Sequence, residues 1–204
     1  MESLPNSNSA SLAQDRLGKI KLEILLSPIV TPSDQTYVIQ PGDSLARIAA
    51  RTGTTVELLT KANRLTSHVI LPGKKLKIPG GRFSLVVDKS QNTLTLKLGE
   101  EVVRVYPVAT GQGGSTPVGT FKITNKLVNP VWYTVGAVVP PDSPQNILGS
   151  RWMGISTPGY GIHGTRDDTS IGKSVTAGCV RMHNPDVEEL YSIIPIGTEV
   201  TIID

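Results

Sequence analysis

The sequence predicts a mostly β protein: a β-sandwich of about 125 residues, preceded by a small βααβ module of about 45. Three observations predict it. Twenty glycines and 15 prolines make about 17% of the 204 residues, against roughly 12% on average, which favours turn-rich β structure over a helical bundle. Short alternating segments recur from Phe83 onward. Phe83–Asp88 and Thr93–Leu98 flank the polar turn Lys89–Asn92 as a hairpin, and Glu101–Val108, Gly119–Thr124 and Glu199–Ile203 read as further strands. One good helix interrupts them, with Asn184 as N-cap, Pro185 at the first position, and Val187, Leu190, Tyr191 and Ile194 facing inward until Pro195 and Gly197 stop it.

Composition removes several function classes. Hydrophobic residues are 38% of the chain, enough for a real core. The net charge is +3, and the densest basic stretch is only Lys74, Lys75 and Lys77. Aromatics are 4%, too few for base stacking, so nucleic-acid binding is not expected. No run approaches the roughly 20 apolar residues of a membrane span. The nearest, Ile24 to Val30, is interrupted by Pro28 and makes a poor export signal, so none is visible in this chain. A single cysteine excludes an intramolecular disulfide and any multi-cysteine metal site, and neither metal nor cofactor is expected.

The chain divides at two breaks. Residues 1–18, rich in Ser and Asn, read as a mobile tail, and Lys19 to Val30 alternates enough to suggest a strand. Thr31 to Gln35 reads as a linker, so 1–35 is expected to be a flexible N-terminal segment. Pro79-Gly80-Gly81 closes the next unit, residues 36–79. That unit opens with the β-type triplet Tyr37-Val38-Ile39 and turns at Pro41-Gly42. Asp43 or Ser44 caps a helix with Leu45, Ile48 and Ala49 on one face, and Gly53 ends it. Thr54 or Thr55 caps a second helix, with Val56, Leu59 and Ala62 aligned and Asn63 as its stop. Lys75 to Ile78 is the closing strand.

Tyr37 to Leu45, Ile48-Ala49, Asn63 and Leu71 to Pro79 together resemble a LysM module over residues 36–79. That resemblance implies binding of N-acetylglucosamine-containing glycans in a shallow groove between two loops, Gly42, Asp43 and Ser44 in the first and Leu65 to Leu71 in the second. Read from the residues alone, the same three do no more than shape and cap a turn. His68 is an exposed loop residue on this reading.

The larger segment, residues 82–204, holds the reactive groups. The glycine-rich stretch Thr110 to Gly119 lacks the Lys and Ser/Thr of a phosphate loop and the third glycine of a dinucleotide fingerprint, so it reads as a loop that lets another chain segment come close. Cys179 is the only thiol, and His163 precedes it by 16 residues. An imidazole base and a positive field, here Arg181, are what activate a thiol, and Gly178 leaves backbone N–H groups open toward a developing oxyanion. A lone Cys and His also occur as a buried free thiol and a satisfied core histidine.

Seven blocks, from Ala109–Phe121 through Tyr160–Thr165 to Thr176–Met182 and Arg181–Asp186, resemble in order the L,D-transpeptidase (YkuD) catalytic domain. The resemblance implies that Cys179 is the nucleophile, His163 the base and then acid, and the Gly164 carbonyl the group that orients its ring. Tyr160, Gly178, Arg181 and Trp132 are then candidates for substrate binding, and Trp132 and Tyr133 lie on an insertion, Asn125 to Gly149, able to cover the groove. One position departs from the family: Ala177 stands where a histidine often precedes Gly-Cys. The implied activity is peptidoglycan crosslinking through a cysteine thioester with loss of D-alanine. Water as acceptor would give an L,D-carboxypeptidase, and loss of activity a silent wall-binding protein. The expected partner is peptidoglycan, glycan and stem peptides together, the expected place the cell envelope, and the expected state a monomer.

Overall fold

The computed structural model describes residues 8–204. The chain runs α1 (Asn8–Leu25), β1 (Gln35–Val38), α2 (Leu45–Thr52), α3 (Val56–Ala62), β2 (Lys75–Ile78), β3 (Phe83–Asp88), β4 (Thr93–Leu98), β5 (Glu101–Pro107) and β6 (Thr110–Gly111). It continues with β7 (Gly119–Val128), β8 (Trp132–Thr134), β9 (Ala137–Val139), β10 (Arg151–Ile155), β11 (Gly161–His163), β12 (Ser174–Thr176), β13 (Val180–Arg181), α4 (Asn184–Ile193) and β14 (Glu199–Ile203).

The N-terminal expectation needs correction. Residues 8–25 form a helix, not a tail and a strand, and the first seven residues of the expected tail lie outside the described residues. Ile20, Leu22 and Ile24 suggested period two, but the buried positions are Gly18, Leu22 and Leu25, spaced i, i+4, i+7 as on one face of a helix. That face lies on β5, an outer strand of the main sheet. A Cβ at Gly18 would stand 3.4 Å from the Val103 carbonyl, in ordinary van der Waals contact with β5. Lys21 donates to the Val102 carbonyl at 2.9 Å. The helix thus covers an edge that would otherwise be open to strand addition. Nor is Thr31 to Asp34 a loose linker: the Asp34 carboxylate accepts from the Thr31 N–H at 2.7 Å and pairs with buried Lys77 at 3.5 Å. Lys77 in turn donates to the carbonyls of Ile24 (2.8 Å) and Ser27 (3.0 Å) at the C-terminal end of α1, where a cation is favoured.

The small module is the expected βααβ unit. β1 and β2 pair antiparallel, Ser44 caps α2, Thr55 caps α3, and Gly53 ends α2 in the left-handed region at φ 66°. Its interior is Ile39, Leu45, Ile48, Ala49, Leu59, Leu76 and Ile78. Helix α3 is buried on two sides, however. Leu59 faces this interior, whereas Leu58 and Ala62 belong to the core of the larger domain. The face expected from Val56, Leu59 and Ala62 is therefore split between two cores.

The larger domain is mostly β, and its layers come from one eight-stranded curled sheet in the order β13-β11-β10-β7-β14-β3-β4-β5. Pairing is antiparallel except for β14 with β3 and β11 with β13. Inside the curl, Leu85, Val87, Leu94, Leu96, Ile123, Met153, Ile162 and Val200 pack with Val187, Leu190 and Ile193 of α4. The C-terminal carbonyls of α4 are satisfied from outside the helix. Lys126 of β7 donates to Tyr191 at 2.6 Å and Ile194 at 2.8 Å, Thr55 donates to the Ser192 carbonyl, and Lys61 bonds the Ser192 hydroxyl at 3.0 Å. The module is thereby docked onto α4.

The glycine pair that reads as a domain break is a tight corner in the fold, since a Cβ at Gly80 would collide with the Ser33 carbonyl. Because the larger core takes in Leu22 and Leu25 of α1 and Leu58 and Ala62 of α3, the helices and the sheet should unfold together. We expect a single thermal transition, and a loss of about 2–5 kcal/mol for Leu58→Ala, the usual cost of emptying a buried leucine site. Calorimetry checks both: two resolved transitions, with Leu58→Ala shifting neither, would show independent units.

Candidate active site

Two short strands at one edge of the sheet place the reactive groups. β11 ends in His163 and pairs parallel with β13, with Ile162 opposite Val180 and His163 opposite Arg181. Cys179 immediately precedes β13. On its far side β13 is held by Ala109, whose N–H and carbonyl exchange 2.8 Å bonds with Arg181. Cys179, His163, Tyr160, Ala177, Arg181, Trp132 and Trp152 line one cleft of about 630 Å³. The expected candidates around the thiol are therefore brought together, while Gly164 and Gly178 lie behind the wall and shape it.

His163 is 2% exposed. Its Nδ1 lies 2.6 Å from the Gly164 carbonyl, which can only accept, so Nδ1 carries the proton and Nε2 holds the lone pair. Trp152 stacks on the ring with centroids 5.9 Å apart. Burial drives the His163 pKa down to about 4; the Gly164 carbonyl opposes this, the Arg181 charge adds to it, and the Leu148 carbonyl again opposes it. Burial also pushes the Cys179 thiol above its ordinary value, against the Gly161 N–H and the Arg181 charge, which pull it down. At neutral pH the resting pair is thus neutral imidazole and thiol. The positive field expected from Arg181 is present but weaker than desolvation.

Glycines set the fit around the thiol. Gly178 has φ +133°, and a Cβ there would stand 2.6 Å from the Tyr160 ring and 3.0 Å from the Ser115 carbonyl. Its own N–H donates to Thr176 Oγ1 at 3.1 Å. The same hydroxyl donates to the Cys179 carbonyl at 2.6 Å, which closes a tight turn behind the thiol. The glycine-rich loop does permit close approach: a Cβ at Gly111 would stand 2.9 Å from Gly178 Cα.

Two asparagines whose roles sequence reasoning missed hold the surrounding loops. Asn184, expected as the N-cap, is instead the first residue of α4 with His183 in the cap position; its Oδ1 accepts from the N–H groups of Ser150 (3.1 Å) and Thr165 (3.2 Å), tying the His163–Gly164 loop to α4. Asn146, 1% exposed, donates to the carbonyls of Pro130 (2.9 Å), Val139 (3.3 Å) and Pro140 (3.1 Å) and accepts from Leu148 N–H at 2.9 Å. It fastens the base of the β8–β9 hairpin, whose Trp132 and Tyr133 reach the cleft. The signal available was their place in the motif blocks, which gives no partner. His183 lies outside the cleft lining and pairs with Asp168 at 2.7 Å.

The YkuD profile, the L,D-transpeptidase catalytic domain, matches residues 82–202, and the LysM domain profile matches residues 37–79. The chain belongs to the L,D-transpeptidase family. YkuD of Bacillus subtilis, assigned to the L,D-transpeptidases, is 38% identical over 174 residues, 82% of this chain and 98% of that protein. YqjB of the same organism, likewise assigned, is 42% identical over 133 residues, 62% of this chain and 74% of its own length. An L,D-transpeptidase structure from Mycobacterium tuberculosis shares the fold at 16% identity and TM-score 0.53, covering 84% of this chain and 90% of that one.

In the LysM domain of this L,D-transpeptidase the first-loop residues have local duties. Asp43 accepts from Tyr37 OH at 2.6 Å and the Gln40 N–H at 2.8 Å, contacts that hold its carboxyl below the usual range. The Ser44 hydroxyl caps α2 through Arg47 N–H at 3.3 Å, and Gly42 takes φ +83° in open space. In the second loop Val69 and Leu71 are exposed.

The buried imidazole makes a prediction about stability. Its ordinary pKa is 6.5 and its folded value about 4, so between these only the unfolded chain binds the proton. Its contribution is complete above about pH 6.5 and falls by roughly 3 kcal/mol as pH drops toward 4. Denaturant unfolding at pH 7 and pH 4.5 should show a smaller loss for His163→Gln than for the natural chain. Equal losses would mean that His163 titrates normally.

Proposed function

We propose that this L,D-transpeptidase acts on peptidoglycan stem peptides through a Cys179 thioester. The observation that carries the reading is the single thiol, one residue before β13, and His163, at the end of the parallel strand β11 with its Nδ1 on the Gly164 carbonyl, both lining one cleft. Nε2 takes the thiol proton as sulfur attacks the carbonyl that follows the diamino-acid L-centre of a stem. The C–N bond breaks, the proton passes to the departing amine, and D-alanine leaves. An amine from a second stem then attacks the thioester, loses its proton to His163, and returns Cys179 as the C–S bond breaks. With water in place of the amine the product is a trimmed stem, and muropeptide analysis distinguishes the two. Because His163 is neutral down to about pH 4, the base is available throughout the neutral range.

The LysM domain supports a wall-associated role, its loops taking N-acetylglucosamine-containing glycan while the cleft works on the stems. Docked on α4, it presents polymer to the cleft at a fixed attitude and raises the local substrate concentration. Trp132 and Tyr160 supply apolar walls for the stem, with Tyr133 above them on the hairpin.

Cys179→Ser should abolish turnover and the covalent adduct with a carbapenem while the thermal transition stays in place. His163→Ala should slow acylation by roughly 10²- to 10⁴-fold, the usual cost of a lost general base. Intact-protein mass spectrometry reads both, and crosslinking by Cys179→Ser would overturn the assignment. Ala177 is exposed on the cleft rim. If His163 alone serves the thiol, Ala177→His should change the acylation rate by less than about tenfold, under about 1.4 kcal/mol in barrier. A natural enzyme inert below about pH 8 and rescued by Ala177→His would instead favour a domain that has lost its activity.

A further inference from the structure

The cleft carries one fixed charge. Among the residues lining it, Arg181 is the only Arg, Lys, Asp or Glu. Its backbone is clamped on both sides, by Ala109 through two 2.8 Å bonds and by His163 in the parallel register. Its side chain has been left without a counterion: no carboxylate lies within ion-pair distance among the described residues, and its Nε is buried with no hydrogen-bond partner. Asp167, which feels the Arg181 charge, spends its carboxylate on Thr169, accepting from its N–H at 3.1 Å and its hydroxyl at 2.6 Å. A half-buried guanidinium with an unused donor in an otherwise uncharged cleft calls for an anion, and its planar fork matches a carboxylate.

We infer that Arg181 is the receptor for the carboxylate borne by the leaving amine and, afterwards, by the entering one. This rests on the acyl-transfer reading of Cys179. The residue expelled from the end of a stem carries a carboxylate on the carbon next to its amine. That places the anion two bonds from the breaking C–N bond, beside the thiol where Arg181 stands. By microscopic reversibility the acceptor amine arrives where the leaving amine departed. The preferred acceptors are therefore amines with a carboxylate on the amine-bearing carbon, and an amide at that position weakens both donors and acceptors. Arg181 is a specificity residue on this account, and the cleft is exo-acting because an internal peptide bond offers no anion there.

The experiment compares a tetrapeptide donor ending in a free carboxylate with its terminal carboxamide, and D-alanine with D-alaninamide as acceptor. The natural enzyme should prefer the carboxylate by roughly 10- to 100-fold in kcat/KM on both sides, the range of one charged hydrogen bond. Arg181→Gln should bring the preference to within about threefold, the carboxylate substrates losing far more than the amides, and the loss common to both matching the change in the Cys179 alkylation rate. Arg181→Lys should recover part of it. Alkylation of Cys179 by iodoacetamide, which has no carboxylate, followed against pH, reports any change in the thiol itself. An equal loss on acid and amide in Arg181→Gln, or no discrimination by the natural enzyme, overturns the carboxylate receptor. A natural enzyme that alkylates at Cys179 yet turns over neither donor overturns the transpeptidase reading instead.

Discussion

Parallel pairing of β11 with β13 is the constraint on which the site depends. It sets His163 opposite Arg181 and brings Cys179 to the mouth of the same cleft, although 16 residues separate the histidine and the cysteine in sequence. Two strands so short have little pairing energy of their own. They are held because Ala109 bonds Arg181 on one side and β10 pairs with β11 on the other. Asn184 then ties the loop after β11 to α4, and Thr176 closes the turn before Cys179. Each of these contacts is a backbone bond or a bond to backbone, so the geometry tolerates change in the side chains that face the substrate.

The same burial that fixes the pair sets its chemistry. Desolvation disfavours both charged forms, lowering the imidazole to about pKa 4 and raising the thiol. An ion pair of thiolate and imidazolium would need more compensation than the Gly161 N–H and a nearby guanidinium supply. A neutral imidazole and a neutral thiol are kept instead. Arg181 disfavours a protonated His163 while favouring the thiolate, so one cation acts on both groups.

The small module and the helix before it are parts of the packed body. Helix α3 gives Leu59 to one core and Leu58 with Ala62 to another. Lys77 leaves the module to satisfy the end of α1, and Thr55 both caps α3 and bonds the far end of α4. Helix α4 therefore meets the LysM domain at one end and the loop that follows His163 at the other.

What the sequence determined by itself is what local chemistry dictates. Period-two runs located the β3–β4 hairpin to the residue, polar caps placed α2 after Asp43 or Ser44 and α3 after Thr54 or Thr55, and the motif blocks singled out Cys179 and His163. Tertiary structure decided the rest. Nothing local marks Gly18, Leu22 and Leu25 as one buried face, because their partner is β5, some 80 residues on, and the alternation of Ile20, Leu22 and Ile24 competes with it. Lys77 reads as one of three exposed lysines until α1 and Asp34 surround it. The availability of the Gly178 N–H depended on where Thr176 placed its hydroxyl, and the charge states of Cys179 and His163 depended on burial. Each of these is a property of groups far apart in the chain or of the solvent they lose, and spacing along a sequence carries no measure of either.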